Sequence, residues 1–162
     1  MGRKKKIEKI EEIFRGKDIR KKLEVLEEVA KMENSFSLNL LFTCLNETSW
    51  HLRNKAAILL GRMGEKAYER LIEVLEKGVW YAKAGAALAL GEMKKLDAIR
   101  HLIKYLDDKN ETVKKSVEDA IRNIVREKPV EFVEEFLPSL PEEEAELIRE
   151  RIKKLEPSVF EI

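Results

Sequence analysis

Glutamine is missing from the chain altogether, and cysteine nearly so: among 162 residues only Cys44 carries a thiol. A lone cysteine excludes an internal disulfide, and its place in the apolar run LLFTCL marks it as a buried small side chain in a reducing compartment. Four prolines and seven glycines are too few for a linker-rich or collagen-like chain. No apolar run approaches the ~18 residues that read as a bilayer span. The start, MGRKKKIEKI, has a basic stretch without the apolar segment of a signal peptide. The expectation is a cytoplasmic protein with no membrane partner. Net charge is also lacking: 32 basic and 31 acidic residues leave +1, whereas a dedicated nucleic-acid-binding domain is as a rule strongly basic.

What the chain does have is charge of both signs, 39% of all residues, beside an ordinary 44% hydrophobic content. Lysine, arginine and glutamate in excess, with no glutamine, is the composition of a thermophile, in which ion-pair networks gain value with temperature. The charge is uneven along the chain: residues 1–33 carry +3 and residues 127–162 carry −6. At this length the expectation is a single domain.

A period of 30 residues organises the centre. Leu41, Leu45, Trp50, Leu52, Ala56, Ala57, Leu60, Gly61 and Met63 are matched thirty residues on by Leu71, Leu75, Trp80, Ala82, Ala86, Ala87, Leu90, Gly91 and Met93. A third copy, offset by 31, keeps the apolar skeleton (Leu102, Leu106, Val113, Val117, Ile121, Ile124) but has Glu111 in place of the tryptophan and Arg122 in place of the glycine. Within each copy a short first helix precedes a longer second one. The second has apolar residues at i, i+4, i+7, i+8 and i+11, which is one helical face.

The flanks read as degenerate copies. Ile7, Ile10, Ile13 and Phe14, then Ile19, Leu23, Leu26, Val29 and Ala30, predict two N-terminal helices. Val130, Val133, Phe136 and Leu137 predict a helix beginning near Pro129, and SLPEEEAELIRERIKKL predicts a last one opened by a Ser139–Glu142 capping box. The organisation expected is one domain over 1–162, with a capping pair at 1–34, three regular repeats at 35–126 and a second capping pair at 127–162. Terminal repeats differ from central ones because their outer faces meet water. No strand is expected.

The pieces WHLRNKAAILLGRM (50–63) and WYAKAGAALALGEM (80–93), with the fainter TVKKSVEDAIRNI (112–124), resemble the HEAT-like repeats of the phycobilisome-lyase type. The resemblance implies an all-α fold, a right-handed α-solenoid of about five antiparallel helix pairs whose second helices line a concave surface. It implies no single activity, since scaffolds, cofactor-lyase subunits and enzymes share it.

A second stripe on the second helices is the candidate site. Trp50, His51, Asn54, Ile58 and Arg62 project from copy one, and Trp80, Tyr81, Ala84, Leu88 and Glu92 from copy two. Copy three is polar there, with Glu111, Thr112, Lys115, Ser116, Asp119 and Asn123. Either the chain's own elements cover this stripe, with Trp50 and Trp80 filling bends between helices, or the ten residues bind a partner, a second copy being the plainest one. The recurring cations Arg53, Lys83 and Lys114 read as a structural ladder to neighbouring carboxylates or carbonyls, with Glu47, Asp107 and Asp108 at hand.

Catalytic chemistry is not expected. His51 and His101 are each followed by leucine, unlike the repeated His-Glu pairs of HEAT-like deoxyhypusine hydroxylases. No glycine-rich phosphate loop and no nucleophile with a base are present, so no cofactor, metal or catalytic residue is assigned. The reading is a protein-interaction or scaffold module. The alternative is a nucleic-acid binder that would use Arg53, Lys55, Arg62, Lys114, Lys115, Arg122, Arg126 and the N-terminal GRKKK for phosphates and the tryptophans for stacking.

Overall fold

The computed structural model describes residues 2–162, and every regular element among them is helical. Helices α1 (Arg3–Arg15) and α2 (Ile19–Met32) come first. They are followed by α3 (Ser35–Cys44) and α4 (Trp50–Arg62), then by α5 (Glu65–Lys77) and α6 (Trp80–Met93). The next segment is broken: 3₁₀ turns at Leu96–Ala98 and Ile103–Tyr105 bracket a single turn, α7 (Ile99–Leu102), ahead of the long α8 (Glu111–Glu127). The chain ends through α9 (Pro129–Glu131), a π-helical turn at Phe132–Phe136, α10 (Leu137–Ser139), α11 (Glu142–Leu155) and a 3₁₀ turn at Pro157–Phe160.

Local chemistry explains most of the boundaries. Asp18, Asn34, Ser49 and Asn110 each accept a hydrogen bond from a backbone N–H of the helix they open, an interaction worth about 1 kcal/mol. Asn34 and Ser37 form a reciprocal box. Gly64 turns the chain between α4 and α5 at φ +63°, which favours glycine.

Helices α2, α4, α6 and α8 pack side by side in that order, and α3 and α5 back α4 and α6. The repeat stripes supply the contact: Leu52, Ala56, Leu60, Ala86, Leu90, Val113, Val117 and Ile121 are fully buried, as the spacing predicts. The repeated glycine has a steric cause. A Cβ on Gly61 would stand 2.7 Å from the Ala89 carbonyl oxygen, and one on Gly91 would stand 2.8 Å from Ala120 Cα. Each glycine thus lets its helix seat directly on an alanine of the next. Arg122, at the same place in copy three, instead pairs along its own helix with Glu118 and Asp119.

Polar staples repeat across the first-helix layer. Lys95 Nζ lies 2.6 Å from a Glu65 carboxylate oxygen, the Tyr68 hydroxyl donates to Asp97 at 2.9 Å, and Arg70 donates to Asn39 at 2.6 Å. Burial, helped by the bond to Asp97, pushes the Tyr68 phenol above its ordinary range. Arg100 closes the series with a two-pronged bond to Glu144 of α11, at 2.6 and 3.0 Å.

The C-terminal pair departs from expectation in two ways. The Ser139 box does not form, because Ser139 Oγ donates to the Phe136 carbonyl and α11 opens after Pro141. Its three leading glutamates, Glu142, Glu143 and Glu144, still face the positive helix end favourably. Val130 is also not core: it is 49% exposed while Phe132 is fully buried. The π turn sets the buried Phe132 and Leu137 five residues apart on one face, a spacing that a strict 3.6-residue reading does not look for.

Candidate functional site

Trp50 and Trp80 are the first residues of α4 and α6, because the chain is extended at Ser49 and Val79. Neither indole is buried: Trp50 is 61% exposed and Trp80 is 48% exposed. They do not fill bends between helices. Each is packed edge-on by the ring that follows it, Trp50 by His51 at 4.9 Å and Trp80 by Tyr81 at 5.3 Å between centroids.

Between them lies a groove of about 220 Å³. Trp50, Arg53 and Asn54 of α4 form one wall, Trp80, Tyr81, Ala84, Gly85 and Leu88 of α6 the floor, and Thr112, Ser116, Asp119, Ala120 and Asn123 of α8 the far wall. Trp50 and Asn54 are also the ridge shared with a second hollow, of about 390 Å³, bounded by Leu23 and Glu27 of α2 and by His51, Lys55, Ile58, Leu59 and Arg62 of α4. Glu92 lies in a third hollow with Lys94, Asn123, Arg126 and Glu127. The ten residues named from the sequence are therefore distributed over three adjoining hollows: four line the tryptophan groove only, two the ridge, three the α2–α4 hollow and Glu92 the last.

The sequence reading missed the α8 wall and Arg53. Thr112, Ser116, Asp119 and Asn123 were legible as the copy-three equivalents of the stripe, yet their polarity set them apart from an apolar patch. Arg53 was assigned to the structural ladder and serves both purposes. Its Nη1 donates to the Glu47 and Thr48 carbonyls at 2.8 and 2.9 Å, within the turn that precedes α4. Its guanidinium also lies 5.2 Å from the Tyr81 ring centroid, a cation–π contact across to the next repeat. Lys83 repeats the gesture 5.3 Å from Tyr105. The carboxylates expected as ladder partners are engaged elsewhere: Glu47 pairs with Lys22, Asp107 with Arg151, and Asp108 accepts from the Asn110 N–H.

Charge around the groove is unevenly paired. Among the described residues Arg53 is the one cation in its lining, and several cations on the helices around it have a carboxylate: Arg62 with Glu27, Lys115 and Arg122 with Asp119, and Arg126 with Glu156. Arg53 and Lys55 are held by neutral carbonyls, Lys55 Nζ donating to the Leu23 carbonyl at 3.0 Å. No described carboxylate lies within 4 Å of either, so their charge is not cancelled by a local partner.

Residues 82–108 match the family model of the PBS lyase HEAT-like repeat. The chain carries a HEAT-like repeat. The matched span runs from the floor of the groove through the broken α7 segment, so the unit recognised joins the second helix of copy two to the first helical segment of copy three. The all-helical, layered architecture agrees with a HEAT-like α-solenoid. No curated protein matches the chain.

The titratable groups of the chain that carries this repeat show no reactive cluster among the described residues. Among the described residues no three of His, Cys, Asp and Glu converge as a metal site. Cys44 is buried, and burial followed by the nearby Glu47 charge pushes its thiol up to about 12, so it stays protonated and inert at neutral pH. His51 is exposed beside Trp50, and His101 Nδ1 lies 3.7 Å from Glu76. No described helix is long and apolar enough to cross a membrane.

Proposed function

We propose that this HEAT-like protein is a non-enzymatic interaction module that holds a protein partner in the groove between Trp50 and Trp80. The observation that carries the reading is the exposure of both indoles, at 61% and 48%, over a preformed groove floored by Ala84 and Leu88. Large aromatic side chains left open around a concavity lose solvation cost when a partner covers them, and tryptophan, tyrosine and arginine are the usual energetic anchors of interfaces. Stacked helical repeats present extended surfaces of this kind, which the HEAT-like match supports.

The nucleic-acid alternative is weakened by the ion pairs. Arg62, Lys115, Arg122 and Arg126, four of the cations it would use on phosphates, each face a carboxylate. Glu111 and Glu118 stand on α8 with three of them.

The test is Trp80→Glu combined with Leu88→Glu. Wild-type protein is expected to retain a partner, another protein or a second copy, in affinity capture and in measurements of oligomeric state. The variant should lose it while keeping its helical circular dichroism. A folded variant that retains the same partner would refute the reading.

A further inference from the structure

The charge left over in the groove narrows the partner. We propose that the groove takes an acidic segment of a partner protein, one that places a carboxylate beside a large apolar side chain. The inference rests on the groove being a protein-docking site. It adds which chemistry docks there.

Arg53 is the centre of the case. Both Nη1 hydrogens are used on the Glu47 and Thr48 carbonyls, and the Tyr81 ring backs the guanidinium at 5.2 Å. The group is thereby held rigid at the groove wall, with its Nε and Nη2 hydrogens left for another acceptor among the five donors an arginine has. Carbonyl partners orient the cation without neutralising it. Lys55, on the other side of the Trp50 ridge, is held in the same way by the Leu23 carbonyl. Helix α4 contains Arg53, Lys55 and Arg62 and no acidic residue at all, and only Arg62 has a carboxylate partner.

The one carboxylate lining the tryptophan groove, Asp119, is already met by Lys115 at 2.7 Å and Arg122 at 3.5 Å. A basic segment would therefore meet the fixed Arg53 guanidinium and an aspartate already satisfied by two cations. An acidic segment would meet an oriented guanidinium ready for a charge-assisted bond, beside an apolar floor for its neighbouring side chain.

The chain's two tryptophans both line this groove, so intrinsic tryptophan emission reports on it, with Trp50 shared by the adjoining α2–α4 hollow and Trp80 confined to the groove. The full-length protein is titrated with two pools of short random tryptophan-free peptides, one of Asp, Glu, Leu, Ile and Phe, the other with Lys and Arg replacing the acids. A single-stranded oligonucleotide forms a third arm. The acidic pool should shift the emission to shorter wavelength and bind about tenfold or more tighter than the basic pool. Raising salt should weaken that binding, and Arg53→Gln should weaken it about tenfold, the usual effect of losing a hydrogen bond to a charged group. If Arg53→Gln disturbs folding, judged by its melting curve, Asp119→Asn carries the test in the opposite sense, since removing the groove's one carboxylate should tighten binding of the acidic pool.

Equal or tighter binding of the basic pool overturns the inference but leaves the groove a protein-docking site. Tighter binding of the oligonucleotide overturns it in favour of phosphate recognition. Absence of any emission change, or wild-type binding by the charge-removed variant, also overturns it. The docking reading itself fails separately, through partner capture by the Trp80→Glu, Leu88→Glu protein.

Discussion

Gly91 sits where a single methyl group decides how closely two helices approach. The nearest atom a Cβ would meet is Ala120 Cα, a backbone atom that cannot swing aside. Gly91→Ala is expected to destabilise the protein by about 1–3 kcal/mol through overpacking, although alanine is the better helix former. Urea denaturation of the variant and the wild type gives the difference directly. The thirty-residue recurrence of Gly61 and Gly91 was legible in the sequence, but its reason was not, because Ala89 and Ala120 become their neighbours only once α4, α6 and α8 are stacked. The tryptophans divide in the same way. Their place at the start of α4 and α6 follows from the pattern, whereas their exposure depends on what the next repeat lays beside them, and the polar α8 wall lays very little.

Among the elements, α11 joins a buried face of Ala145, Ile148 and Ile152 to a charged bond on its first turn. The hydrogen bond from Arg100 holds the Glu144 carboxyl below the usual carboxylate range, and the Ser158 and Arg126 bonds do the same for Glu156 just beyond the helix. A carboxyl held low in the folded state takes up protons more readily once the chain unfolds. Its stabilisation is therefore present above the ordinary carboxylate pKa and is lost as pH falls through the lowered folded value. The melting temperature should accordingly drop on acidification below about pH 4.5, the ordinary glutamate value, and Glu144→Gln should melt lower at neutral pH with a shallower acid decline. An unchanged acid limb in that variant would show that the α11 bridge contributes nothing. The existence of this helix and its acid-to-base polarity were legible. Its start was not, since the choice between Ser139 and Pro141 turned on whether the π turn left Ser139 within reach of the Phe136 carbonyl.

Across the whole molecule, one connected apolar cluster runs from Ile10 to Val159. Each repeat buries its stripe against the next, so none has a core of its own. Unfolding followed by tryptophan emission, which reports α4 and α6, should coincide with unfolding followed by far-ultraviolet circular dichroism, which reports every helix. Two separated midpoints would mean that the flanking pairs melt independently of the centre. The fold class was legible because periodicity survives in all three copies. The groove's charge was not, because it depends on which cations find carboxylates and which find carbonyls, and spacing along a chain does not record that.

The glycine-on-alanine seat has a consequence for how such a chain can change length. Gly61 rests on Ala89 and Gly91 on Ala120, so copy two offers its neighbours the same socket that it occupies. A tandem duplication of residues 64–93 would place a new glycine over a new alanine at each joint and carry with it the positive-φ Gly64 that opens α5. Copy three, with Arg122 at the glycine position, could not be multiplied in this way. The molecule thus carries both an extensible unit and a stop, and its number of repeats can grow by gene duplication without any new packing solution.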